Sequence, residues 1–381
     1  MSEGRARVSR VQAGTYRIPT TLRGRVRPES DGTATWDHTD VVVVIVHAAG
    51  ETGLGYAYAS PAALTVVRDT LARVVLGSDP FDTTHTFWAM ARAVRNMGWP
   101  GIAAGAISAL DVALHDLRAR LLGVSLIDLL GAARPRVRAY GSGGFTDYSD
   151  NELAGQLAGW AEQGMTAVKM KIGSDPADDS RRTMVARAAI GNDVELFVDA
   201  NGALDRKPAL ALAERIAADA GATWFEEPVS SDDLAGLHLL RQRSPATMQI
   251  AAGEYAYTPA SFRLLIDAQA VDTLQADATR CGGVTGFLGA AQQCIAAGIP
   301  LSAHTAPALH AVLGCVAQPV VHMESFHDHE LVEALLFDGV SPLVDGCLEP
   351  RRDRAGHGLR LGDRGTEYRT AWEDEAGNHD E

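Results

Sequence analysis

Residues with chemical potential cluster where short apolar runs stop. The run 167–172 contains Lys169-Met170-Lys171, the run 196–199 leads into Asp199-Ala200-Asn201, the run 223–226 into Glu226-Glu227-Pro228, and the run 249–252 into Gly253-Glu254. Alternation along a strand points Lys169 and Lys171 the same way, and inward-facing residues of a closed barrel are rarely charged without a reason. Asp199, Glu226 and Glu254, delivered to one rim, repel one another unless a cation neutralises them. An all-oxygen set without Cys or His favours Mg2+ over zinc. The next three runs end in Asp277, His304 and Glu324. One strand-end charge is an ordinary solvated group, whereas a series of them in chain order is the pattern of a site.

The elements that must hold these groups are legible as eight apolar runs, at 137–140, 167–172, 196–199, 223–226, 249–252, 273–276, 301–303 and 320–323. They alternate with amphipathic helical stretches such as the one opened by Thr258-Pro259 as N-cap and first helical residue. This grammar predicts an α/β protein with a (β/α)8-type barrel over residues 131–345, chemistry lying at the C-terminal strand ends. Upstream, the run 41–46, a turn at 49–53 and the run 54–58 predict an antiparallel hairpin. Ile107, Leu110, Leu114, Leu117 and Leu121 recur at steps of three and four, predicting a helix with one buried face that stops at Gly123. Residues 1–130 thus read as an α+β unit. Residues 346–381 form a terminal segment whose polar, acidic end after Asp363 is expected to fray.

Composition removes several function classes. With 381 residues, 46% hydrophobic and 22% charged, the chain has the make-up of a globular protein. A formal net charge of −14 argues against nucleic acid and anionic lipid as partners. The first 19 residues lack the apolar core of a signal peptide, and the run 41–46 is too short to span a bilayer, so a soluble cytoplasmic protein is expected. Association into a homo-oligomer is expected too. Cys281, Cys294, Cys315 and Cys347 are too dispersed for a zinc knuckle and read as small buried hydrophobes.

Lys169-x-Lys171, Asp199-x-Asn201, Glu226-Glu227-Pro228, Gly253-Glu254, Asp277 with Gly282-Gly283, His304 and Glu324 together resemble the enolase superfamily. The pairing of Asp277 with His304 resembles its mandelate racemase subgroup, and the Ala-Leu-Asp-Val-Ala-Leu run at 109–114 resembles the helix before that family's barrel. The resemblance implies a modified (β/α)7β barrel, an α+β capping domain and a C-terminal segment returning to the cap. It implies abstraction of a proton next to a carboxylate, the dianionic enediolate being stabilised by Mg2+ on Asp199, Glu226 and Glu254. Lys169 is then a cation beside the substrate carboxylate. Lys171, crowded by Lys169 and the metal, is expected to have a depressed pKa and act as a base. His304 is the second acid/base, oriented by Asp277, and Glu324 is expected to be a neutral hydrogen-bond donor to the developing oxyanion. Asn201 is a candidate contact to a substrate hydroxyl, while Glu227 reads as structural.

The same apparatus suits loss of a β-hydroxyl, giving an acid-sugar dehydratase, and 1,1-proton transfer, giving a racemase or epimerase of a 2-hydroxy acid. Dehydration ranks first by analogy within the subgroup. A Schiff-base aldolase using Lys171 leaves the three carboxylates unexplained, and a binding or scaffold role leaves the acid/base pair idle. The small-molecule carboxylate, a sugar acid on the leading reading, is contacted from the cap. Residues 20–40 read as a mobile lid carrying Arg23, Arg25, Trp36 and His38, while Tyr56, Tyr58 and Ser60 follow the hairpin as contacts of a second loop. His310, His322, His327 and His329 lack metal-ligand spacing and read as supporting or surface histidines.

Overall fold

The structure, a computed structural model, describes residues 6–23 and 28–376, the side chains of Leu22, Arg23 and Ala376 left out. Eight parallel strands close on themselves: β6 (Val137–Gly143), β7 (Ala167–Lys171), β8 (Glu195–Asp199), β9 (Ala222–Glu226), β10 (Gln249–Ala252), β11 (Thr273–Ala276), β12 (Leu301–Ala303) and β13 (Val320–Phe326), with β13 hydrogen-bonded to β6. The strand ends that carry the charged residues therefore lie on one rim. Crossover helices surround the barrel, and Thr258 caps the helix Pro259–Asp267 by accepting the Ser261 N–H at 3.2 Å. Inside the barrel, below the rim, Tyr140, Ala167, Phe197, Trp224 and Ala251 pack into a separate apolar plug. The plug keeps water from the underside of the buried charges.

Ahead of these elements lie β1 (Arg10–Pro19), β2 (Glu29–Ser30), β3 (Thr35–Trp36), β4 (His38–Ala48) and β5 (Glu51–Tyr58). Strands β1, β4 and β5 form an antiparallel sheet against the helix Ile102–Leu121. That helix is anchored to the barrel by polar bonds. Asp111 accepts the Thr285 N–H at 2.9 Å and its hydroxyl at 2.8 Å, and the Ser108 hydroxyl accepts the Gly282 N–H at 2.8 Å.

The acidic terminus does not fray as expected over its whole length. Strand Arg369–Ala376 pairs with β1, because Arg10 binds Asp374 and Arg68 reaches Glu373 at 3.2 Å, giving the acidic side chains cationic partners across the sheet. Among the described residues, no helix is long and apolar enough to cross a membrane.

The small hairpin β2–β3 lies over the barrel mouth. Thr146 N–H donates to the Ser30 carbonyl at 2.8 Å, and the Trp36 ring meets Phe145 edge-on at 5.4 Å. At the hairpin tip a Cβ on Gly32 would stand 2.5 Å from the Ala200 carbonyl oxygen and 2.6 Å from that of Ile172, so only glycine permits this approach.

Candidate active site

The rim is a buried charge network. Lys169, fully buried, donates from Nζ to both carboxylate oxygens of Glu226 at 2.8 and 2.7 Å, and lies 2.8 Å from Glu324 Oε1. Lys171 Nζ donates to Asp199 Oδ2 at 2.5 Å. Across the mouth, His304 Nδ1 is 2.9 Å from Asp277 Oδ2 and Nε2 is 2.7 Å from Glu254 Oε2. The backbone pays locally for this convergence: Asn201, Glu227, Thr305 and Ala306, all just past strand ends, are four of the seven non-glycine residues with positive φ among those described. Gly253 has φ +141°, and a Cβ there would lie 2.1 Å from the Gln275 carbonyl oxygen, so glycine is required to turn Glu254 onto the rim.

The protein's own charges bear on the protonation of two site residues. Burial raises the Glu324 pKa, but Lys169 and then His304 outweigh it, and the group is held down at about 2. Lys169 and His304 thus favour the carboxylate form of Glu324, and its Oε2 also accepts the Thr305 N–H at 3.0 Å. Lys171 likewise has its pKa raised, because Asp199 outweighs both burial and Lys169. His304 is raised to about 10: burial lowers it, and Glu254, Glu324 and the bond to Asp277 prevail.

The donor set fits a hard divalent cation. Ligand atoms of Glu226, Glu254 and His304 lie within 4.8 Å of one another, while Asp199 is turned to Lys171. Burial and then Asp199 push Glu226 up to about 7, and burial and then Glu254 push Glu227 well above the carboxylate range. Glu227 Oε1 and Asn201 Oδ1 are buried without a hydrogen-bond partner. Carboxylates in excess of the cations that face them, with oxygen atoms unsatisfied, are what such an ion neutralises.

One cavity of about 330 Å3 brings much of this together. Lys171, Asn201, Glu254, His304 and Glu324 line its barrel side, and Trp36, His38, Tyr58 and Ser60 line the cap side. Tyr56 does not belong to it. Its hydroxyl donates to Glu333 Oε1 at 2.6 Å in the joint between cap and barrel, one strand repeat deeper than Tyr58. The Arg23 side chain and Arg25 lie outside the described residues. Asp31, Tyr255, Arg280, Thr305, Phe326 and Asp328 also line the cavity and were not singled out in the sequence. Arg280, three residues after Asp277, and Asp328, four after Glu324, were open to detection as charges in strand-end loops. His329, read as a supporting or surface residue, is buried, stacks on Tyr58 with ring centroids 3.3 Å apart, and reaches the cavity. His310 supports the rim from behind, accepting the Ala278 N–H at 3.0 Å and bonding the Thr305 carbonyl at 2.7 Å.

Comparison with known proteins agrees with this geometry. Residues 18–131 match the mandelate racemase / muconate lactonizing enzyme N-terminal domain, and residues 152–364 match the enolase C-terminal domain-like family. The chain belongs to the enolase superfamily, in its mandelate racemase-like branch. It is an enzyme. A mandelate racemase/muconate lactonizing enzyme-like protein from Rubrobacter xylanophilus superposes with a TM-score of 0.92 at 46% identity, covering 96% of this chain and 100% of that one. L-talarate/galactarate dehydratase of Salmonella typhimurium is 31% identical over 337 residues, 85% of this chain and 81% of the relative. L-talarate dehydratase from Polaromonas sp. JS666, solved with Mg and L-glucarate, has a TM-score of 0.85 at 29% identity, covering 98% of this chain and 100% of that one.

Proposed function

We propose that this superfamily member is a Mg2+-dependent acid-sugar dehydratase. The observation that carries the reading is a single cavity lined by Lys171, by His304 with Asp277 behind it, and by Glu254. Asp199, Glu226 and Glu254 would hold the ion, which supplies Lewis-acid stabilisation of the charge that develops on the substrate carboxylate. The relatives named as dehydratases, one of them solved with Mg, support this.

The protein groups divide the remaining work. Lys169, anchored by Glu226 and Glu324, places a fixed cation beside the substrate carboxylate. Lys171 removes the α-proton. Asp199 favours its protonated form, while burial and Lys169 favour the neutral amine; an ion held by Asp199 would weaken the first influence. His304, protonated near neutral pH in this setting, gives a proton to the departing β-hydroxyl. Asp277 fixes the His304 ring and its tautomer. Relatives named as dehydratases favour dehydration over racemisation.

Incubating the protein with Mg2+ and a panel of five- and six-carbon sugar acids tests the reading. A 2-keto-3-deoxy acid is expected as product. Epimerisation at the α-carbon without keto acid would replace dehydratase by epimerase.

A further inference from the structure

The cavity has ends of opposite character. At the barrel end Lys171 lines the cavity, and Lys169 lies wholly buried in the same strand. The cap-side wall carries the carboxylates of Asp31, Asp40 and Asp328. Among the described residues only Asp40 is matched by an arginine: Arg17 grips it through two bonds of 2.9 and 3.1 Å. Asp31 Oδ1 accepts the N–H groups of Thr33 and Ala34 at 2.6 and 2.7 Å, and Asp328 Oδ2 accepts the Trp36 indole N–H at 2.9 Å. These donors are neutral. The basic groups of the described lining are already engaged by carboxylates. His38 lies between Asp37 at 2.5 Å and Asp40 at 3.6 Å, and Arg280 between Glu254 at 3.5 Å and Asp277 at 3.6 Å.

We infer that the substrate is a sugar monoacid, with its one carboxylate at the barrel end and a neutral polyhydroxylated chain against the cap, and that Asp31 and Asp328 discriminate against sugar diacids. This rests on the acid-sugar reading of the site. Hydroxyl groups donate to carboxylates and gain from the wall. A second substrate carboxylate instead meets like charge in a partly dehydrated space, a common device for rejecting a wrong partner.

Matched pairs test the inference: D-gluconate against D-glucarate and D-galactonate against galactarate, with pentonates and their diacids added. Both kcat/KM and calorimetric affinity are measured with Mg2+ at low and high salt. The monoacid of the best pair is expected to exceed its diacid by about tenfold or more at low salt. That gap should narrow with salt and in the double variant Asp31→Asn, Asp328→Asn, which keeps the acceptor oxygens for Thr33, Ala34 and Trp36 while removing two charges. A diacid that binds or turns over as well as its monoacid overturns the inference and leaves the dehydratase reading intact. So does a gap that neither salt nor the double variant changes. Monoacid-selective binding without any turnover retains the inference and overturns dehydration. Binding of neither class overturns both.

Discussion

The barrel rim and the cap wall face each other across one cavity but hold their charges differently. On the rim, Lys169, Asp199 and Glu226 are wholly buried at the ends of strands, each neutralising a neighbour. On the cap wall, Asp31, Trp36, His38 and Asp40 are half-buried on a short hairpin and the start of β4, and pair mostly within the cap. Buried, mutually fixed charges suit reaction chemistry, where reorganisation is costly. Half-buried side chains on a small hairpin can vary the polar groups offered to a substrate's far end while leaving the rim undisturbed.

The contrast breaks most sharply at the metal-facing carboxylates. Glu226→Gln keeps the shape and removes one charge, and turnover is expected to fall to background while far-ultraviolet circular dichroism is unchanged. Retained activity in this variant, or in excess chelator, removes the metal from the account. A smaller loss is expected for Glu324→Gln. Because Glu324 is an anion clamped on Lys169, the variant loosens that cation, and a cost on the order of 3 kcal/mol, about a hundredfold in kcat, follows if Lys169 faces the developing charge. Near-normal kcat would instead restore a neutral donor role to Glu324.

Between rim and cap lies the Tyr56–Glu333 joint. Burial pushes Glu333 up to about 8 against donors from Tyr56, Ala308 and Tyr58. The unfolded chain releases this proton near pH ~4.3, so the folded state binds more protons between that value and about 8. Stability from this group is full below the window and is lost as pH rises through it. Thermal unfolding temperature should therefore fall from pH 5 to pH 8, and Glu333→Gln should flatten the fall. The smallest effect belongs to the cap wall: Trp36→Phe removes the indole donor to Asp328, a loss of about 1 kcal/mol, seen as a roughly fivefold rise in KM with kcat unchanged.

The same contrast decided what the sequence disclosed. Rim residues follow apolar runs of fixed period, so a strand end names its own charged residue, and all eight runs coincide closely with β6 to β13. Cap residues lack that frame. Strand β1 mixes polar and apolar residues without a clean alternation, and the terminal strand hides its pairing behind Glu373, Asp374 and Glu375, whose partners Arg10 and Arg68 are some 300 residues away or more. Tyr56 and Tyr58 share one face of β5, and nothing in their spacing says that only the outer one reaches the cavity. The protonation states of Glu324 and Lys171 are not legible in the sequence for a related reason: each depends on which opposite charge sits within 3 Å, a question of rotamers and not of residue type.

The central claim is that Lys171 takes the α-proton of the substrate carboxylate and that His304, as an imidazolium, protonates the departing β-hydroxyl. Proton NMR in deuterated water, with Mg2+ and sugar acids epimeric at C2 such as D-gluconate and D-mannonate, measures this directly. Lys171→Ala is expected to lose α-proton exchange and keto-acid formation together, whereas His304→Asn is expected to keep exchange and lose most of the keto-acid product. Exchange that survives in Lys171→Ala, or exchange that is abolished in His304→Asn, would contradict the account.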